Sequence, residues 1–223
     1  MKESTSKEKI LKKIREALID KSNNPYPNID FESSVYKDIT ESLDVTFVQE
    51  FLKVSGDFIF CEDENELISN LKVLISEKNI SNLFCLEHKI KDILTTAQIQ
   101  FYSDKKDFYK ADAGITLCEY LIARFGSIMV SSKQVSGRKL MIYPSVHIVI
   151  AYTSQIVPDL KDALIKIKNK YDKLPSAISV ITGPSKTAEI ENTLVKGGYG
   201  PKKLYLFLVD DYLQDQKIYT TER

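Results

Sequence analysis

The residues best placed to do chemistry lie between Ile178 and Pro201. The β-branched run Ile178-Ser179-Val180-Ile181-Thr182 breaks at Gly183-Pro184-Ser185-Lys186-Thr187, and Ala188-Glu189-Ile190-Glu191 follows with a helix-like pattern. A second turn, Gly197-Gly198-Tyr199-Gly200-Pro201, leads into the apolar segment Leu204–Val209. Four of the eight glycines fall between Gly183 and Gly200, so backbone can approach a ligand most closely here. A strand that ends in glycine, proline and serine and then opens a helix turns N–H groups and hydroxyls outward. That arrangement commonly holds a phosphate or carboxylate. The expected anion site takes its charge from Lys186 and its close contacts from Gly183, Pro184, Ser185, Thr187, Gly200 and Thr116. The spacing is not that of a G-x-x-x-x-G-K-[ST] loop, so a Mg-nucleotide site of the NTPase type lacks support. A plainer reading fits the same residues: Ser185 caps the helix and Lys186 faces water.

Two carboxylates are candidates for an acid, base or nucleophile, Glu189 and Glu119. Glu189 is nearer the turn than Glu191, and two residues apart on a helix they face different sides. A helix N-terminus favours both electrostatically without any catalysis. Glu119 belongs to a second expected strand-to-helix junction, Gly114-Ile115-Thr116-Leu117-Cys118-Glu119-Tyr120. There Thr116 and Glu119 have the spacing of a capping box, or alternatively line a pocket. Lys133-Gln134-Val135-Ser136-Gly137-Arg138 reads as a polar loop, either a basic lid over an anion or a surface connection. His147 follows Tyr143-Pro144-Ser145 inside an apolar strand, where a core histidine is commoner than a catalyst.

Positioning these groups requires an alternation of strands and helices. Strands are expected at Asp57–Cys61, Asn82–Leu86, Ile99–Tyr102, Ala113–Leu117, Ser127–Ser131, Val146–Tyr152, Ile178–Ile181 and Leu204–Val209. Helical periodicity covers Glu64–Glu77, Lys89–Ala97, Cys118–Arg124 and Pro158–Tyr171. Crossover helices between strands imply an open, mostly parallel α/β sheet with helices on both faces, binding ligands beyond the carboxyl ends of its strands. Two further amphipathic helices, at 5–20 and about 37–54, flank the Pro25/Pro27 loop. The expected organisation is therefore a helical extension over residues 1–54 and an α/β domain over 55–223.

Charge is balanced at 31 basic and 31 acidic residues, so no global field favours nucleic acid or an anionic membrane. No apolar run approaches the roughly 20 residues of a membrane span, and the charged N-terminus lacks a signal-peptide core. A cytoplasmic location follows as the expectation. Cys61, Cys85 and Cys118 are dispersed within apolar runs, which reads as buried thiols. With two histidines and no C-x-x-C, a metal cluster within this chain is not expected, nor is any other cofactor.

Taken in order, Gly114-Ile115-Thr116, Gly126-Ser127, Pro144-Ser145-Val146-His147, Ile156-Val157-Pro158, Ile181 through Glu191 and Gly200-Pro201 resemble the LUD-domain family. The resemblance covers about 55–212 and is most specific at Gly183-Pro184-Ser185. It implies the NagB/RpiA/CoA-transferase-like fold, shared with sugar-phosphate isomerases and formyltetrahydrofolate cyclo-ligase. It also implies a role in bacterial L-lactate oxidation to pyruvate, beside iron–sulfur partner proteins that carry the redox groups, and this chain's lack of cluster ligands fits a cofactor-free subunit. The chain departs from the family pattern in having Lys186 for Arg, Glu189 for Asp and Tyr199 for His, and in Arg124-Phe125 before Gly126. A stand-alone isomerase, transferase or ligase acting on a phosphorylated or CoA-linked compound is the alternative, with Glu119 or Glu189 as the reactive group. A ligand sensor or scaffold docking through its N-terminal helices is a third.

Overall fold

The computed structural model describes residues 5–19, 26, 28–30, 36–190, 193–196 and 200–212. The chain divides into two compact units between Asp38 and Ile39. In the smaller unit, α1 (Ser6–Ile19) begins with a capping pair: the Glu8 amide donates to Thr5 Oγ1, and the Glu8 carboxylate accepts from the Thr5 amide.

The larger unit contains, in chain order, α2 (Leu43–Lys53), β1 (Asp57–Cys61), α3 (Glu64–Glu77), β2 (Leu83–Cys85), α4 (His88–Thr96) and β3 (Ala113–Leu117). Then come β4 (Tyr120–Ile122), β5 (Ser127–Ser131), β6 (Val146–Tyr152), β7 (Ile156–Val157), α5 (Leu160–Lys170) and β8 (Ile178–Ile181). The last strands are β9 (Lys186–Ile190), β10 (Thr193–Lys196) and β11 (Lys203–Val209).

Five strands form one wholly parallel sheet in the order β1-β11-β6-β3-β2. Alternation along these strands sends side chains to two cores. Ile115, Ile148, Ile150 and Phe207 pack under α3 and α4, whose Leu67, Leu71, Ile90 and Leu94 are buried there. Val149, Ala151, Leu204, Leu206 and Leu208 face the other way, onto Phe47 and Phe51 of α2 and onto Leu121, Ile128 and Val130. Those last three belong to a second sheet, β7-β4-β5-β8, whose far face α5 covers through Ala163 and Ile167. The second layer against the parallel sheet is thus α2 together with another sheet, and α5 lies outside that.

Three local expectations change. Residues 118–124 form β4 and a single helical turn, Ala123–Phe125. The β-forming Tyr120-Leu121-Ile122 pairs antiparallel with β5, and Gly126, in the left-handed region at φ 55°, closes the hairpin. Of Ile99–Tyr102, only Tyr102 bridges to β2 at Phe84. The helix expected after Ser185 is instead the antiparallel hairpin β9–β10. Thr187, Ile190, Thr193 and Val195 are β-branched, and strand pairing satisfies the backbone that one isolated turn of helix would leave open.

Two glycines show how closely α2 is held. A methyl group on Gly126 would lie 2.2 Å from the Phe51 amide nitrogen, and one on Gly183 (φ 79°) would lie 2.2 Å from the Val54 carbonyl oxygen. Gly137 also has a positive φ of 64° but faces open space. Gly126→Ala is therefore expected to cost about 2–4 kcal/mol in urea unfolding, and Gly137→Ala about 1 kcal/mol. Equal losses would show that backbone conformation, and not the seating of α2, sets the requirement.

Candidate functional site

The turn after β8 and the turn before β11 meet. The Ser185 amide donates to the Pro201 carbonyl at 2.8 Å, and the space at Gly200 is so tight that a Cβ there would come within 3.2 Å of Ser185 Cβ. Gly183, Pro184, Ser185, Lys186 and Gly200 line one cavity of about 390 Å³, with Thr182, Ile142 and Met141 on its wall. Five of the residues expected to bind an anion are thereby brought together. Lys186 Nζ donates to Ser55 Oγ at 2.9 Å, a neutral partner that leaves its charge uncompensated, and no carboxylate pairs with it among the described residues.

The helix dipole invoked for this site is absent, because β9 follows the turn. The cavity also lies away from the carboxyl ends of the parallel strands. It borders the entry to β11, where the Lys202 amide donates to the Ser145 carbonyl just before β6. Thr187 and Glu189 stand on β9 with side chains outside the described set, and Glu191 and Tyr199 lie outside the described residues altogether.

Thr116 and Glu119 are not at this cavity and do not form a capping box. Thr116 is inside β3, buried, with Oγ1 2.9 Å from His147 Nε2 on the neighbouring strand. The other ring nitrogen of His147, Nδ1, has no partner among the described residues, and burial pushes the imidazole down to about 4, so it is neutral in the fold near pH 7.

Glu119, 2% exposed, follows the carboxyl end of β3 and has both oxygens engaged. Ser131 Oγ and the Tyr171 hydroxyl donate to Oε1 at 2.6 and 2.9 Å, and Lys170 Nζ donates to Oε2 at 2.8 Å. Burial works against the charge on Lys170, but its bond to Glu119 prevails and holds its pKa above the usual lysine value. Tyr171 is raised by burial and by the same carboxylate.

Sequence reasoning passed over Glu87, two residues beyond β2 at the carboxyl edge of the parallel sheet. One of its oxygens accepts the Leu117 amide, while Oε1 is buried without a hydrogen bond of good geometry among the described residues. Burial raises its pKa above the usual carboxylate range, against the opposing pull of the Leu117 amide and of the Ser136 hydroxyl and amide beside it. A charged residue directly after the apolar run Leu83–Leu86 was the available signal.

The three thiols are buried, and desolvation raises Cys61 to about 11 and Cys85 to about 12, which makes them poor nucleophiles. No group of three or more metal-ligating side chains gathers among the described residues. No helix among them is long and apolar enough to cross a membrane.

A LUD-domain sequence profile matches residues 45–209, which takes in both sheets and α2 to within two residues of its start. The chain belongs to the LUD-domain family. Among similar proteins, Lactate utilization protein C of Bacillus licheniformis is 37% identical over 105 residues, covering 46% of this chain and 44% of the relative. The protein of the same name from Bacillus subtilis strain 168 is likewise 37% identical over 105 residues, again 46% and 44% of the two chains. The match thus spans less than half the length of these relatives. A solved structure, a DUF162 family protein from Deinococcus radiodurans, superposes with a TM-score of 0.58 at 18% identity over 75% of this chain and 96% of that one. It shares the fold.

Neutral, buried His147 has a consequence for stability. Its folded pKa of about 4 is below the unfolded value near 6.5, so the unfolded chain takes up a proton first as pH falls. Between those values acid should weaken the fold by about 1.4 kcal/mol per pH unit. Glu87, raised, has the opposite slope just above its unfolded value, so the comparison that isolates the histidine is wild type against His147→Gln. Urea unfolding at pH 7 and 5 should show the wild type losing stability relative to the variant. Parallel slopes would mean that His147 protonates freely in the folded state.

Proposed function

We propose that this chain is an accessory subunit of an L-lactate oxidation system that yields pyruvate. It would bind a small carboxylate at the Gly183-Pro184-Ser185 turn, and iron–sulfur partner proteins in the cytoplasm would accept the two electrons removed from the substrate. The observation that carries this reading is the convergence of Gly183, Ser185, Lys186 and Gly200 on one cavity, where the partner of Lys186 among the described residues is a hydroxyl. A 2-hydroxy acid offers a carboxylate for Lys186 and a hydroxyl for the Ser185 side chain, and about 390 Å³ is ample for so small a molecule. The names of the relatives point in the same direction, toward lactate utilisation. The chain's own part is to hold and orient an anion, and the redox chemistry belongs to the partners.

The test is to recover the tagged chain from its host grown on lactate. Iron–sulfur proteins and lactate-oxidising activity should copurify with it. Lys186→Met, at an exposed position where folding is not at risk, should lower that activity about tenfold or more, the effect of losing one charge-assisted hydrogen bond. A chain recovered without partners, or one that turns over a phosphorylated or CoA-linked substrate alone, would sink the proposal in favour of a stand-alone isomerase, transferase or ligase.

A further inference from the structure

A second cavity, of about 710 Å³, opens between the helical turn Lys105–Lys110 and the loop of residues 132–145. We infer that it binds a planar heteroaromatic ligand carrying phosphate, a molecule of the nucleotide type. This inference rests on none of the residues behind the lactate reading, although Ile142 borders both cavities.

Three independent features support it. The first is an aromatic wall. Phe108 meets Tyr143 edge to face at 5.7 Å and is backed by Phe84, which stacks on Tyr102. Tyr143 and Ile142 are nevertheless 58% and 50% exposed, so an apolar surface stands open beside the aromatic cluster. The second is charge. Lys106, Arg138 and Lys139 line the cavity, and among the described residues no carboxylate does. Arg138 is held by donating to the Ser176 hydroxyl at 2.6 Å, a contact that orients the guanidinium without neutralising it. The third is a buried polar pair at the wall. Among the described residues, neither the Ser136 hydroxyl, 4% exposed and lining the cavity, nor the adjacent Glu87 Oε1 closes a hydrogen bond of good geometry, although Ser136 lies near enough to favour the Glu87 carboxylate. A ligand group reaching Ser136 would add a partner there. The volume lies within the roughly 300–1,000 Å³ usual for small-molecule sites.

Calorimetric titration of the full chain decides the matter, with ADP and flavin mononucleotide as probes and adenosine, riboflavin and inorganic phosphate as controls. At least one nucleotide should bind, and its phosphate-free analogue and inorganic phosphate should each bind tenfold or more weakly. The two nucleotide arms separate an adenine from an isoalloxazine ring. Tyr143→Ala and the double variant Arg138→Ala/Lys139→Ala, all at exposed positions, should each weaken binding tenfold or more, with circular dichroism unchanged. Lys186→Met should leave it intact. Silence of the wild type toward both nucleotides, equal binding of inorganic phosphate, or binding that survives the Tyr143 and Arg138/Lys139 variants would each overturn the inference.

Discussion

The last turn of α2 sets the geometry on which the candidate anion site depends. Phe51 is fully buried against the second core, and Gly56 is glycine because a Cβ there would lie 2.3 Å from the Phe51 ring. Gly126 and Gly183 let two separate turns close on the same helix, at the Phe51 and Val54 backbones. Ser55, itself at φ 70°, then receives the Lys186 ammonium from 131 residues further along the chain. Contacts this close tolerate no added methyl, so the position of the Gly183 turn is inherited from the packing of a helix far earlier in the sequence. The LUD profile begins within that helix, at residue 45, in keeping with its place in the core.

The buried polar groups divide by whether their hydrogen bonds are complete. Glu119 joins β5 through Ser131 and α5 through Lys170 and Tyr171, and so ties the end of β3 to the second sheet and its covering helix. Both oxygens of this carboxylate are engaged by side chains of the fold, so it ties three segments together whatever else it does. Glu87 and His147 are the reverse case: among the described residues each has one atom paired and one without a hydrogen bond of good geometry. Burial keeps the histidine neutral and favours the neutral form of the glutamate, which lowers the cost of leaving each half-satisfied. Only Glu87 lies beside a cavity-lining residue, Ser136, and that separates it from a purely structural group.

Replacing the expected helix with the β9–β10 hairpin changes what the Gly183 turn offers an anion. A helix N-terminus would present several amides and a dipole. The observed turn has already committed the Ser185 amide to Pro201, and its attraction for an anion rests mainly on the Lys186 charge. An arginine at this position would bring a planar fork, whereas lysine brings a compact point charge that suits a small carboxylate approached from one side.

Local pattern determined a good deal by itself. α3 and strands β1, β3, β5, β6 and β8 fall where periodicities of 3.6 and 2 place them, because those repeats report directly on which face is buried. The Gly183 and Gly200 turns and the LUD resemblance were likewise readable, since glycine and proline spacing is a local backbone constraint. Tertiary structure alone decided the rest. Residues 118–124 and 186–196 satisfy a helical and a strand pattern about equally, and the availability of β5, and of β10 for β9, as pairing partners settled them. The alternation of strands and helices carried no information on which strands share a sheet, so the split into a parallel and a mixed sheet emerged only from packing. Glu87, Ser136 and the aromatic cavity beside them are drawn from separated segments. A void between such segments, and the polar atoms left open on its wall, exist only once the chain has closed around it.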